Sequence, residues 1–201
     1  RYRTDTLADL VMYTYDTAVN FGKGRLAQAT YPLGKASFNY DAIGEEVSAS
    51  KTVGLSTYSV VRTYDALGRL KTSRSPGGKS TTIYTYNLAG ALTGTALKFT
   101  TGSTTTTQSI ITAINYNANG SIQKIVYGNG AVSAYVYDPL TLRLQTQVVV
   151  DKNSVAVQYN AYLYDRVGNI VQVQDKIRNT AKTYTYDELN RMISSNDGSG
   201  V

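Results

Sequence analysis

The sequence has no cysteine, no histidine and no tryptophan, and only 3 prolines among 201 residues. These absences exclude disulfide scaffolds, thiolate or imidazole metal centres, cysteine nucleophiles and every triad built on an imidazole base. Nucleophilic or acid/base chemistry would have to rest on Ser, Thr, Tyr, Lys and 14 carboxylates. Charged residues amount to 17%, too few for a disordered polyelectrolyte. No apolar run approaches the ~20 residues of a spanning helix, so no membrane insertion of this segment is expected. The 20 basic and 14 acidic residues leave a net charge of +6, but they are strewn along the chain, and the densest stretch, Arg69 to Arg74, sets three basic residues among polar ones. A nucleic-acid binder carries a basic stripe or a recognition motif, so no nucleic-acid partner is expected.

What is abundant points one way: 18 Tyr against 3 Phe, 17 Gly, and 26 Thr. Tyr, Thr and Val suit pleated surfaces and Gly supplies positive-φ turns, which predicts an all-β chain. The chain starts at Arg1 without Met and stops at Gly198-Ser199-Gly200-Val201, and is read as a piece of a longer polypeptide. Leu7, Leu10 and Val11 have the spacing of a short helical turn, although a strand leading into Tyr13 is the preferred reading.

One phrase recurs from end to end. Tyr13-Thr14-Tyr15-Asp16 opens it and Gly24-Arg25-Leu26 closes it after a longer insert. Phe38-Asn39-Tyr40-Asp41 with Gly44 and Val47 follows, then Arg62-Thr63-Tyr64-Asp65-Ala66-Leu67-Gly68-Arg69-Leu70, the cleanest copy. Next come Tyr84-Thr85-Tyr86-Asn87 with Gly90, Ile114-Asn115-Tyr116-Asn117 with Gly120, and Tyr135-Val136-Tyr137-Asp138 with Arg143 and Leu144. The last two are Tyr162-Leu163-Tyr164-Asp165 with Gly168, and Tyr184-Thr185-Tyr186-Asp187 with Asn190, Arg191 and Met192. The mean period of these eight copies is about 24 residues. No composition break marks a domain boundary, so residues 1–201 are expected to form one repeat array, with the threonine tract Thr100 to Thr107 as a long exposed hairpin tip or loop.

Each copy can be derived as a hairpin. Tyr-Xaa-Tyr places both rings on one face of a strand. Asp or Asn next favours a type I turn, and Gly three positions later supplies the positive φ that closes a three-residue hairpin loop. This register pairs Asp65 with Arg69, Tyr64 with Leu70, Tyr164 with Ile170 and Tyr186 with Met192. Two copies depart. Asn190 stands where Gly is expected, and Asn tolerates the left-handed region. The copy at Asp138-Pro139 is one residue longer and puts Leu142 at that place, which predicts a different turn. In the second copy Glu45 would face Asp41 with like charge, leaving its register open.

The phrase Tyr-Asp-Xaa-Xaa-Gly-Arg-Leu of residues 64–70 resembles the YD repeat of the rearrangement-hot-spot (RHS) proteins, the B and C components of insecticidal toxin complexes, and the teneurins. Tyr127-Gly128-Asn129-Gly130 and Tyr31-Pro32-Leu33-Gly34 are similar to further phrases of that family. The resemblance implies that the hairpins join into one long, curved or spiralling antiparallel sheet, a segment of a hollow shell around a toxin or other polypeptide. It implies partners in the rest of the parent shell and an enclosed C-terminal cargo, in a secreted or cell-surface setting, most readily a bacterial delivery protein. In bacterial members of the family the shell is followed by a region with an aspartyl self-cleavage site; Asp138-Pro139 lacks its surrounding pattern, so no catalytic residue is carried over.

The residues set three further readings beside this one. Asp16, Asp41, Asp65, Asp138, Asp165 and Asp187 occupy equivalent places one repeat apart, whereas a glycosidase needs two carboxyl groups roughly 5–10 Å apart in unlike surroundings. One carboxylate per turn also falls short of the several that a calcium loop supplies. Turn capping is therefore expected of these aspartates, with no enzyme activity, metal or cofactor. The tyrosine rows suit either the sheet's own packing, with neighbouring strands about 4.8 Å apart, or a glycan-binding surface of a cell-surface adhesion array. Hydroxyls shut in between strands would indicate the scaffold, and hydroxyls lining a solvent groove the glycan surface.

Overall fold

The computed structural model describes residues 10–198, and strands make up nearly all of its regular structure. Eight strands each end on the second tyrosine of a copy: β1 (Met12–Tyr15), β3 (Gly34–Tyr40), β5 (Ser56–Tyr64), β7 (Ser80–Tyr86), β9 (Thr104–Tyr116), β11 (Val132–Tyr137), β13 (Ala156–Tyr164) and β15 (Thr180–Tyr186). Eight strands return: β2 (Leu26–Tyr31), β4 (Glu46–Val53), β6 (Leu70–Arg74), β8 (Leu92–Thr101), β10 (Ile122–Tyr127), β12 (Leu144–Val150), β14 (Ile170–Asp175) and β16 (Met192–Asn196). Their order in the antiparallel sheet is the order in the chain, without a crossover. A 3-10 turn at Pro76–Gly78 interrupts the pattern. The described residues group into two compact units, 10–86 with 95–108, and 87–94 with 109–198.

The turn chemistry repeats in both units. In the cleanest copy Asp65 N–H donates to the Arg69 carbonyl at 2.9 Å and Gly68 N–H to the Asp65 carbonyl at 3.0 Å. The same pair of bonds closes the turns at Asp41, Asn87, Asn117 and Asp187. Gly44, Gly68, Gly90, Gly120 and Gly168 have φ of 99°, 74°, 85°, 83° and 110°, and Asn190 has 59°. The Asp41 turn keeps the common register despite Glu45, pairing Tyr40 with Glu46. Asp41 Oδ1 accepts the Ile43, Gly44 and Glu45 N–H groups, which holds the turn from its own side.

The longer sixth turn is of a different kind: Leu142 N–H donates to the Asp138 carbonyl four residues back at 2.9 Å. Leu142 takes the left-handed conformation all the same, with φ 58°. The extra residue leaves the chain no other way back into the Asp138–Arg143 backbone bond, and Thr141 compensates with two bonds to Asp138 Oδ1. The threonine tract forms the ends of β8 and β9 and the turn between them, with Gly102 at φ 60°. Leu10 and Val11 lie outside regular structure just before β1, and Leu7 lies outside the described residues.

A second irregularity, one step inside each turn, does not follow from the spacing. Tyr64 pairs with Leu70 but Thr63 pairs with Thr72, so Lys71 is an extra residue, a β-bulge. The register shifts in the same way beside Tyr15, Tyr40, Tyr137, Tyr164 and Tyr186, and the ladder also skips Gln123 beside Tyr116. Burial is sparse. Among the described residues only Ala27, Ile114 and Ser133, at 5%, 9% and 3% exposure, and the glycines Gly22 and Gly94 are buried, and no large side chain is wholly enclosed. The strands are thus not covered by a second layer, and stability must come from the ladder and from links between adjacent hairpins.

Replacing Gly68 with Val is expected to lower the melting temperature by destabilising the fold by ~1–3 kcal/mol, because a β-branched residue is strained at φ 74°. Its Cβ would also stand 3.1 Å from Glu45 Oε1. An unchanged melting curve would show that this turn tolerates a side chain.

Candidate functional site: the tyrosine and aspartate rows

The repeat places the second tyrosine of each copy at a strand end, beside the bulge and directly before the turn. From the second copy on, its hydroxyl reaches back into the preceding hairpin. Tyr40 donates to the Leu26 carbonyl, Tyr64 to Glu46, Tyr86 to Leu70 and Tyr116 to Leu92, at 2.7–2.9 Å. Tyr137 donates to Ile122, Tyr164 to Leu144 and Tyr186 to Ile170, at 2.8–3.0 Å. Each acceptor is the first residue of a return strand. In the six copies whose register is defined beside it, that residue is the cross-strand partner of the preceding tyrosine. The ladder skips the residue after it, and the hydroxyl binds at that irregularity. Tyr15, with no earlier hairpin among the described residues, is 54% exposed.

The arginine of the closing phrase adds a second link in the same direction. Arg25 lies over the Tyr40 ring at 5.5 Å, Arg69 over Tyr86 at 4.7 Å and Arg143 over Tyr164 at 5.7 Å. At such distances a guanidinium is drawn to the ring face. Arg143 also donates to the Asp165 carbonyl at 3.0 Å. These guanidinium groups occupy space that a side chain on the next turn would need. A Cβ on Gly44 would fall 2.4 Å from Arg25 Nη2, and one on Gly168 2.8 Å from Arg143 Nη2. The turn glycine therefore serves both a positive φ and the arginine of the hairpin before it. The sequence reading found the glycine and the arginine but assigned the arginine only to Asp65. The missed signal was the closing phrase itself, repeated one hairpin ahead of each such tyrosine.

The first residues of the Tyr-Xaa-Tyr pairs are more varied. Tyr13 is 60% exposed. Tyr162 donates to Gln147 Oε1 at 3.3 Å, while Tyr84, Tyr135 and Tyr184 are half-buried. Arg62 takes this place in the third copy and pairs with Glu46.

The aspartates hold their own turns. Asp65 accepts from Leu67 and Arg69 N–H and pairs through Oδ2 with Arg69 Nε at 2.7 Å; Asp187 does the same with Leu189 and Arg191. Asp165 accepts from Gly168 and Asn169, and Asp16 from Gly24. Backbone N–H bonds, from Thr141 at Asp138 and from Arg191 at Asp187, hold those carboxyls below the ordinary carboxylate value. At Asp65 and Asp165 desolvation pulls upward, and the bonds from Arg69 and Asn169 and their neighbours together outweigh it. Burial pushes the phenols of Tyr40, Tyr64, Tyr137 and Tyr164 above their ordinary value.

A recess of about 440 Å³ opens beside the fifth and sixth turns, lined among others by Asn117, Gln123, Tyr135, Tyr137, Asp138 and Leu142. Its single carboxylate is the one already engaged by Leu140 and Thr141. Among the described residues no group of three or more acidic side chains is placed to hold a metal ion. No described helix is long and apolar enough to cross a membrane.

Tandem tyrosine-aspartate hairpins, each bonded through its tyrosine to the one before, define a structural repeat protein of the β-sheet shell class. The chain belongs to the Teneurin YD-shell family, whose model matches residues 11–201. It is similar to the toxin subunit YenC2 of Yersinia entomophaga, with 27% identity over a 168-residue alignment that covers 76% of this chain and 17% of that protein. Among solved structures it resembles the TcdB2–TccC3 complex, with TM-score 0.79 and 22% identity over 92% of this chain and 10% of the other. The Tc holotoxin pore of Photorhabdus luminescens matches with TM-score 0.76 and the same identity and coverage. The chain thus spans about a sixth of its curated relative and a tenth of these structures.

Removing one hydroxyl tests the link between hairpins. Tyr164→Phe should lower the free energy of unfolding by ~1 kcal/mol, the usual net worth of one such hydrogen bond, read as a lower urea midpoint. The pH dependence has two limbs. The lowered aspartates contribute stability that is present above their unfolded value of about 3.9 and is lost as pH falls through the folded values. The raised tyrosines contribute stability that is present below about 10 and is lost as pH rises through the folded values. The urea midpoint should therefore be flat between these limits and fall on both sides, and Asp187→Asn should make the acid limb shallower.

Proposed function

We propose that this chain is a stretch of wall in a larger YD-shell that encloses a polypeptide cargo, a toxin in the nearest functional parallel, and that its work is passive. The observation that carries this reading is the sequestration of the tyrosine hydroxyls: seven of them are spent on carbonyls of the neighbouring hairpin. Hydroxyls engaged in this way are not offered to a glycan, which favours the scaffold over the adhesion surface. The candidate carboxylates for catalysis recur in six of the eight copies and are committed to turns, which supports a non-enzymatic role. The rest of a shell and the enclosed cargo are the partners this reading requires. The names of the relatives, a toxin subunit and a holotoxin pore, support a secreted setting. The positions named from the sequence, from Tyr13 to Asp187, act on this reading as repeat-forming residues.

The test uses the full parent protein with and without residues 12–196. Deletion is expected to leave the downstream domain open to protease and toxic to the producing cell, whereas the intact parent keeps it resistant and silent. Equal protection and equal silence after deletion would overturn the wall reading.

A further inference from the structure

The edge of the sheet opposite the tyrosine turns carries a feature that the repeat does not explain. Between β6 and β7 the chain runs Ser75-Pro76-Gly77-Gly78-Lys79, where most other connections on that edge are simple turns. Gly77 and Gly78 both have positive φ, 77° and 69°. Arg74 folds over this loop and donates from Nε to the Gly78 carbonyl at 3.2 Å. A Cβ on Gly78 would stand 2.6 Å from Arg74 Nη2, so the second glycine is what admits the guanidinium. Lys79 is tied to the next hairpin by its carbonyl, which accepts the Thr100 N–H at 3.0 Å.

The result is a recess of about 460 Å³ lined by Arg74, Lys79 and Lys98 together with Thr72, Thr100 and Thr105. The Thr100 and Thr105 hydroxyls bond each other at 3.1 Å and the Thr72 hydroxyl bonds Thr63 at 2.7 Å, so in each pair the accepting hydroxyl keeps its own hydrogen. No carboxylate lines it, nor either of the two further recesses, of about 230 and 550 Å³, that share Arg74 and Gly78. None of the three cations forms an ion pair among the described residues, whereas Arg62, Arg69, Arg178 and Arg191 all do. Three like charges gathered around one concavity repel one another, and an anion placed among them removes that cost. Hydroxyl donors alternating with fixed and flexible cations suit the oxygens of a tetrahedral anion: the guanidinium offers a planar fork and the ammonium groups adapt.

We propose that the Arg74–Lys79–Lys98 recess is a binding site for a tetrahedral oxyanion, a sulfate or phosphate ester group. The site lies on one repeat connection only, away from the tyrosine turns, and does not depend on the wall reading.

The test is a titration of the full 201-residue chain with inorganic sulfate and with inorganic phosphate at low ionic strength, followed by amide chemical shifts. Saturable shifts confined to residues 74–79 and 98–105 are expected, lost on adding ~0.5 M sodium chloride, as surface electrostatics require. Two further arms separate the sources of the group: glucosamine 6-sulfate and glucose 6-phosphate, with glucose as the blank. The double variant Lys79→Gln/Lys98→Gln should weaken binding at least about tenfold, and Lys79→Arg/Lys98→Arg should retain it. Both lysines are exposed, so circular dichroism unchanged from the parent certifies the fold of each variant. Shifts that do not saturate, that spread over all basic residues, or that persist in the glutamine variant would overturn the site.

Discussion

One hydrogen bond, from a tyrosine hydroxyl to the first carbonyl of the preceding return strand, is the constraint on which the rest of this molecule depends. A sheet with only five buried residues among those described, two of them glycines, has no interior to hold it in register. Backbone ladders alone would allow a hairpin to slip by two residues at little cost, because both faces of the sheet are largely wet. The hydroxyl forbids that slip, since its acceptor sits at a single bulge. The bulge does not depend on the length of the turn, since it recurs beside Tyr15 and Tyr137, where longer loops close, as well as beside the three-residue turns that need the positive φ of glycine or asparagine. Bulge and hydroxyl therefore recur together as one unit of construction, which the guanidinium of the preceding closing phrase joins at Tyr40, Tyr86 and Tyr164.

This also explains the odd composition. A core made from phenylalanine would have nothing to offer a carbonyl at a bulge, and 18 tyrosines stand against 3 phenylalanines. Arginine is held where it can lie over the ring that makes the bond, and threonine and serine fill faces that remain half-wet. Stability in such an array is a sum of hairpins and of the links between neighbours, as in other repeat proteins. The exposed apolar residues at the turn tips, Leu67 at 74% and Leu189 at 72% among them, are the part of this surface for which the array itself supplies no cover.

Much of the fold was legible in the sequence because its determinants are local. The Tyr64–Leu70 pairing follows from the distance between Asp65 and Gly68, and the same holds at Tyr164 and Tyr186. The bulges were not legible, since the skipped residues Ala27, Val47, Lys71, Gln123, Gln145, Val171 and Ile193 mix apolar, basic and amide side chains. Leu142 was read correctly as a different turn, but its left-handed backbone is imposed by closure of the loop against residue preference. The partners of the tyrosine hydroxyls lie 14 to 24 residues away and are backbone atoms, which leave no mark on sequence. The Arg74 recess escaped for a related reason: Lys79 and Lys98 are brought to one edge by pairing of strands, while along the chain they are merely two scattered lysines.

The hydroxyl bonds all point one way, from a later residue to an earlier one. A hairpin leaving the ribosome meets an acceptor that has already been made, so the order of synthesis and the order of assembly coincide. No segment has to wait, with its edge unpaired, for a partner still to be translated. For a chain whose strands would otherwise pair with any neighbour, that one-way arrangement is a safeguard against entanglement during birth, and it lets hairpins be added or lost in evolution without rewriting those that come before.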